Sequence, residues 1–127
     1  MTNSQIIFNE SIELMNKGII GTTGRKIKVT YEKNGEEVTE IIDEPEEIHT
    51  FADWKARGYY VQKGQKAKAR FMIWNYTSKA SKKVIEARKA AGKEDESAPD
   101  PHYYMKEAYF FTKDQTSAAE KMLPAVV

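Results

Sequence analysis

Apolar side chains recur along this chain with two periods, and each period predicts a different kind of element. Ile6, Ile7, Ile12, Leu14 and Met15 return every three to five residues, which predicts a helix over residues 2–17, capped by Thr2 or Ser4 and ended by Gly18. The period then shortens to two. Ile27, Val29 and Tyr31 alternate with Lys26, Lys28 and Thr30, and residues 36–42 are similarly rich in β-branched side chains. Asn34-Gly35 separates these strands; both residues of a two-residue hairpin turn need positive φ, and this pair meets that need most easily.

Asp43-Glu44-Pro45 is expected to break the second strand, after which Thr50 caps a short helix that carries Trp54 and stops at Gly58. Residues 59–61 read as extended, Lys63-Gly64 as a turn and residues 67–75 as a strand. In that strand Ala67, Ala69, Phe71 and Ile73 face one way, and Lys68, Arg70, Met72 and Trp74 the other. Residues 77–102 predict a mobile excursion between two paired strands. Its Lys- and Ala-rich first part suits a helix with Val84 and Ile85, whereas the run from Glu94 to Pro101 holds no regular element. Residues 106–112 return as a strand with Tyr109, Phe110 and Phe111, and Asp114 opens a short closing helix that Pro124 ends. The pattern predicts one α+β domain over residues 1–127: a small antiparallel sheet with an N-terminal helix, a short Trp-bearing helix and a short C-terminal helix.

At 127 residues the chain can bury roughly two-thirds of its unfolded surface, so it needs no disulfide or metal staple. It has no Cys, and its two histidines, His49 and His102, lie far apart and are expected to face solvent. That excludes a disulfide scaffold, a thiol nucleophile and Cys-ligated zinc, and no metal or other cofactor is expected. The glycines around Gly21-Thr22-Thr23-Gly24-Arg25-Lys26 miss the phosphate-loop spacing, which argues against nucleotide hydrolysis. No catalytic constellation emerges, and the reading is a non-enzyme. No window approaches 18 consecutive apolar residues and no basic-then-apolar leader opens the chain, so a cytoplasmic protein without membrane contact is expected.

Charge sharpens the picture. The formal net charge is +1, yet residues 36–53 hold eight acidic groups and no Lys or Arg, while residues 55–93 hold twelve basic groups and one acid, Glu86. Aromatic residues interleave with the basic block: Trp54, Tyr59, Tyr60, Trp74, Tyr76, Tyr103, Tyr104 and Tyr109. Cations that follow phosphates and aromatic faces that stack on bases make a single-strand nucleic-acid surface. Lys63, Lys66, Lys68 and Arg70 are the candidate phosphate ligands, with Lys82 and Lys83 from the excursion folding over the strand. Trp74, Tyr60 and Tyr109 are the candidate stacking residues, and Trp54 is placed in the core.

The run Trp54-Lys55-Ala56-Arg57-Gly58-Tyr59-Tyr60-Val61-Gln62-Lys63-Gly64-Gln65-Lys66-Ala67 resembles a Trp-x-x-x-Gly-x-x-Val-x-Lys-Gly-x-Lys pattern. That pattern belongs to the N-terminal single-stranded-DNA-binding domain of ArdC-type antirestriction proteins. Tyr109-Phe110-Phe111-Thr112-Lys113-Asp114-Gln115-Thr116 looks like the closing aromatic strand of that domain, so the likeness frames residues 54–116. The resemblance implies an α+β fold, binding of single strands without sequence specificity, and a stand-alone domain of a phage or other mobile element that protects incoming DNA. It implies phosphate contact for Lys63 and Lys66 and structural roles for Trp54, Gly58 and Val61. The expected partner is single-stranded DNA, with RNA left open. The alternative is a protein-binding inhibitor of a host defence nuclease, using the acidic surface of residues 36–53 as a phosphate-like decoy.

Overall fold

The structure, a computed structural model, describes residues 1–92 and 95–118. Helix α1 (Asn3–Asn16) starts at Thr2, whose Oγ1 accepts the Gln5 N–H at 3.2 Å while Gln5 Oε1 accepts the Thr2 N–H at 2.8 Å. This reciprocal cap satisfies two backbone donors that a helix start otherwise leaves open. Lys17 closes the helix, and Gly18 follows at φ +74°, a conformation L side chains avoid.

Strands β1 (Thr22–Lys33) and β2 (Glu36–Pro45) pair antiparallel in a sheet of their own. Asn34 at φ 54° and Gly35 at φ 78° form the whole loop, with Lys33 opposite Glu36. The expected break at residues 43–45 does not occur. β2 runs through Pro45, which is buried opposite Thr22; as the strand's last residue it has no ladder donor to supply. Ile27, Val29, Val38 and Ile42 form the half-buried face of this hairpin. Between α1 and the hairpin an open cavity of about 910 Å³ is lined by Phe8, Ile12, Met15, Val29, Tyr31 and Ile42.

Strand β3 (Ile48–His49) leads into α2 (Phe51–Ala56), capped by Thr50 Oγ1 on the Asp53 N–H at 3.2 Å. Then come β4 (Tyr59–Val61), β5 (Ala69–Thr77), α3 (Lys82–Ala90) and β6 (His102–Thr112). β6 lies between β3 and β5. It begins earlier than the expected residue 106, because the Asp100 N–H donates to the Ser78 carbonyl at 2.8 Å and closes the base of the excursion ahead of it. α3 falls within that excursion, where the sequence suggests a helix, and its Val84 and Ile85 are half-buried.

The closing helix expected from Asp114 is replaced, over the described residues, by a single 3₁₀ turn, Lys113–Gln115, and a strand, β7 (Thr116–Ala118). β7 pairs antiparallel with β4, Val61 opposite Thr116 and Tyr59 opposite Ala118, so backbone groups that a helix would use join a ladder instead. The rest of that expectation, up to Pro124, lies outside the described residues.

The chain divides into two compact units, Met1–Phe71 with the segment from Ala108 onward, and Met72–Glu107. Every fully buried residue among those described belongs to the first, which holds Leu14, Ile20, Ile48, Trp54 and Phe110. Trp54 is its centre, as expected from the sequence: 2% exposed, with Nε1–H donating to the Phe111 carbonyl at 2.9 Å. The His49 and Tyr59 rings meet it edge-on at 4.7 and 5.7 Å, a geometry that suits aromatic quadrupoles. Phe71 and Phe110 stack at 4.0 Å.

Candidate nucleic-acid interface

In the first unit the candidate phosphate turn is held from behind by one side chain. Gln115 is 4% exposed; its Nε2 donates to the Lys66 carbonyl at 2.7 Å and to Gln65 Oε1 at 3.2 Å, while its Oε1 accepts the Thr112 N–H at 3.0 Å. Gln62 adds two bonds, its N–H to the Gln115 carbonyl at 2.9 Å and its Nε2 to the Thr116 carbonyl at 3.1 Å. Gly64 turns the loop at φ +88° with no atom within 4 Å of where a Cβ would stand. The backbone of residues 62–66 is thereby fixed, and the Lys63 and Lys66 side chains stand out from it, exposed. The two sequence blocks that carry the family resemblance interlock here, through Trp54 on Phe111, β4 on β7 and Gln115 on Lys66.

Lys68 and Arg70 are exposed, alternating with half-buried Ala67, Ala69 and Phe71, and the Lys68 N–H donates to the Phe110 carbonyl at 2.9 Å. Tyr109 is exposed on β6. Tyr60 is half-buried in β4 opposite Ser117, so it presents less surface than the other stacking candidates. Its neighbour Tyr59 packs on Trp54, and the Lys113 ammonium sits 5.1 Å above that ring.

The second unit carries Trp74, Lys82 and Lys83. The alternation predicted for β5 continues through it: Met72, Trp74 and Tyr76 are 45%, 41% and 59% exposed, while Ile73, Asn75 and Thr77 between them are half-buried. The Tyr76 ring meets Tyr103 of β6, itself 69% exposed, at 5.3 Å. Tyr76 and Tyr103, which the sequence places among the interleaved aromatics but not among the stacking candidates, thus join Trp74 on the outward side of the unit. Their signal was the i, i+2 spacing of Trp74 and Tyr76 in a period-two strand.

In α3, capped by Ser81 Oγ on the Val84 N–H, Lys82 and Lys83 occupy the exposed first turn. Positive charge there opposes the helix macrodipole, a cost of about 0.3–1 kcal/mol each, whereas Arg88 and Lys89 in the last turn favour it. At the other end Arg88 donates to the Ala98 carbonyl at 2.7 Å and to that of Glu96 at 3.4 Å, and Lys89 lies 3.8 Å from the Glu96 carboxylate.

The acidic block is engaged mainly by β1, which precedes it in sequence. Lys26 pairs with Asp43 at 2.6 Å and Arg25 with Glu44 at 2.6 Å, while Thr23 donates to the same Glu44 oxygen at 2.7 Å. The Thr23 hydroxyl, and next the Arg25 guanidinium, hold the Glu44 carboxyl below the usual carboxylate range. Glu46 accepts the Gly21 N–H at 3.0 Å. The Tyr31 hydroxyl donates to Glu40 at 3.3 Å, and desolvation together with that carboxylate's charge pushes the phenol pKa up.

His49 does not face solvent as expected. Its side chain is only 12% exposed, with Nε2 2.5 Å from Glu47, Nδ1 2.6 Å from Asp53 and the ring edge against Trp54. His102 is half-buried, its Nδ1 2.6 Å from the Asp100 carbonyl. Arg57, 3.6 Å from both Glu47 and Asp53, is the one ion-pair link between the acidic and basic blocks among the described residues. Among those residues no ion pair joins Lys63, Lys66, Lys68, Arg70, Lys82 or Lys83 to a carboxylate. Nor do they include a group of three or more residues that could hold a metal ion, or a helix long and apolar enough to cross a membrane.

The chain matches no family model, no curated protein and no solved structure.

Proposed function

We propose that the protein binds single-stranded nucleic acid, DNA in the first instance, by occupancy and without sequence readout. The observation that carries this reading is the row Met72, Trp74 and Tyr76 on β5, with Tyr103 against Tyr76: three flat aromatic rings and a thioether, all exposed, in a unit that buries none of its described residues fully. A folded chain gains little by exposing such rings unless something stacks on them, and stacking on a base is worth about 1–3 kcal/mol per ring. Lys82 and Lys83 are the cations of the same unit that would follow the phosphates, and Lys63, Lys66, Lys68 and Arg70 are the candidate phosphate ligands of the other unit, taken by itself. Among the described residues no carboxylate forms an ion pair with any of them, which supports that role. Protection of incoming DNA for a mobile element, as the ArdC-like motif implies, is the biological setting this binding suits.

The inhibitor reading has weaker support, because Asp43, Glu44, Glu46, Glu47 and Asp53 are engaged within their own unit. Fluorescence anisotropy of a labelled oligodeoxythymidine, titrated with the protein at several salt concentrations, tests the proposal with duplex of equal length as competitor. Salt-sensitive binding that duplex does not displace is expected; no binding at low salt overturns it.

A further inference from the structure

The β1–β2 hairpin leaves one of its edges built for another strand. Because Asn34-Gly35 is a two-residue turn with both φ positive, Lys33 and Glu36 form the first hydrogen-bonded pair. The pairs that exchange backbone bonds are then Lys33/Glu36, Tyr31/Val38, Val29/Glu40 and Ile27/Ile42. The backbone N–H and C=O groups of Lys26, Lys28, Thr30 and Glu32 therefore point away from β2. No other described strand joins this sheet, those four residues are exposed, and the irregularity in pairing lies before Lys26, which leaves 26–32 a regular edge. Edges of this kind recruit further strands unless they are guarded.

We infer that this edge pairs antiparallel with the same edge of a second copy of the chain, about a two-fold axis at Val29. Written against itself in reverse, the segment Lys26-Ile27-Lys28-Val29-Thr30-Tyr31-Glu32 is self-complementary. Lys26 meets Glu32, Ile27 meets Tyr31, Lys28 meets Thr30 and Val29 meets Val29, so each apolar residue faces an apolar one and the terminal pair is of opposite charge. The β2 edge lacks this property. Its outward residues Glu37, Thr39, Ile41 and Asp43 pair acid with acid when reversed on themselves, a repulsive arrangement. A two-fold axis perpendicular to the sheet also places both α1 helices on the same face of a four-stranded sheet. The open cavity lined by Phe8, Ile12, Met15, Val29, Tyr31 and Ile42 lies on that face, and the second copy would wall it. The occupant is thus set by charge and by register: another copy of this protein.

Sedimentation equilibrium of the purified full chain is expected to give twice 14.6 kDa; a monomer at high micromolar concentration overturns the inference. Thr30→Pro removes an outward N–H while leaving the β1–β2 ladder bonds in place, and it is expected to yield a monomer with an unchanged circular dichroism spectrum. A Thr30→Pro dimer would show that another surface is used. Since the chain has no cysteine, Val29→Cys introduces a single thiol next to its symmetry mate in a non-hydrogen-bonded pair, where Cα atoms lie about 4.5 Å apart. Mild oxidation should cross-link it quantitatively and leave Thr39→Cys, on the β2 edge, reduced. Equal cross-linking of the two, or none at Val29→Cys, overturns the pairing.

Discussion

The two units differ in where they place their tryptophans. In the first, Trp54 and Phe110 are buried to 2% and 0% exposure, and the Trp54 indole N–H is spent on a backbone carbonyl. In the second, Trp74, Tyr76 and Tyr103 are turned outward and no described residue is fully buried. The same residue type sits in opposite settings: inside, it supplies burial that offsets chain entropy; outside, it leaves a large ring on the surface. Composition alone cannot make that distinction. The strand period and the burial of each ring do.

The most direct way to break the comparison is to truncate both tryptophans. Trp54→Ala is expected to cost about 3–5 kcal/mol, read as a lower urea midpoint, because it empties the core and strands the Phe111 carbonyl. Trp74→Ala should cost less than about 1 kcal/mol of stability and instead weaken oligodeoxythymidine binding about tenfold. Comparable stability losses in the two variants would mean that Trp74 is a core residue after all.

Gln115→Ala comes next. It leaves the Thr112 N–H and the Lys66 carbonyl without their partner, an expected loss of about 2–3 kcal/mol in urea denaturation. It should also weaken single-strand binding by loosening the turn that carries Lys63 and Lys66. Lys66→Ala separates those effects: stability unchanged, binding weaker for every sequence alike, and the slope of log affinity against log salt shallower by about 0.7. An unchanged slope removes Lys66 from the phosphate ligands.

The smallest effect belongs to Glu44. Its folded pKa is depressed, so its contribution is fully present above its unfolded pKa and is lost as pH falls through the folded value. Glu44→Gln should therefore lower the melting temperature slightly at neutral pH and not at all once both states are protonated. A difference that persists in strong acid would point to packing rather than to the Thr23 and Arg25 contacts.

Local chemistry made much of this fold legible. Asn34-Gly35 fixed a hairpin because few residue pairs tolerate two positive φ angles, and Thr2, Thr50, Gly18 and Gly58 marked helix ends for equally local reasons. The alternation from Ala67 to Asn75 sets Trp74 on the side opposite Phe71 and Ile73, and the structure has it exposed there. What escaped depends on distant parts of the chain. β7 is three residues of Thr, Ser and Ala with no strand signature, and it exists because β4 offers a ladder. A lone histidine such as His49 is expected at the surface; the carboxylates on either side of it, Glu47 and Asp53, instead hold the ring against Trp54. Gln115 was recognised only within a family pattern, although Thr112-x-x-Gln115 is a capping signature that could have flagged its bond to the Thr112 N–H.

The bond from Trp54 to Phe111 spans 57 residues of sequence, and Gln62 reaches Thr116 across 54. Chain closure over such spans is slow, whereas the Asn34-Gly35 hairpin needs only neighbouring contacts and forms in microseconds. Refolding should thus run in a fixed order, with the hairpin early and burial of the Trp54 indole late. The span has a compensating benefit: the cost of closing a loop grows only with the logarithm of its length, about 0.6 kcal/mol per doubling. The segment between β5 and β6 can therefore lengthen or change at little expense to the lock between the ends, which leaves it open to rapid evolutionary variation.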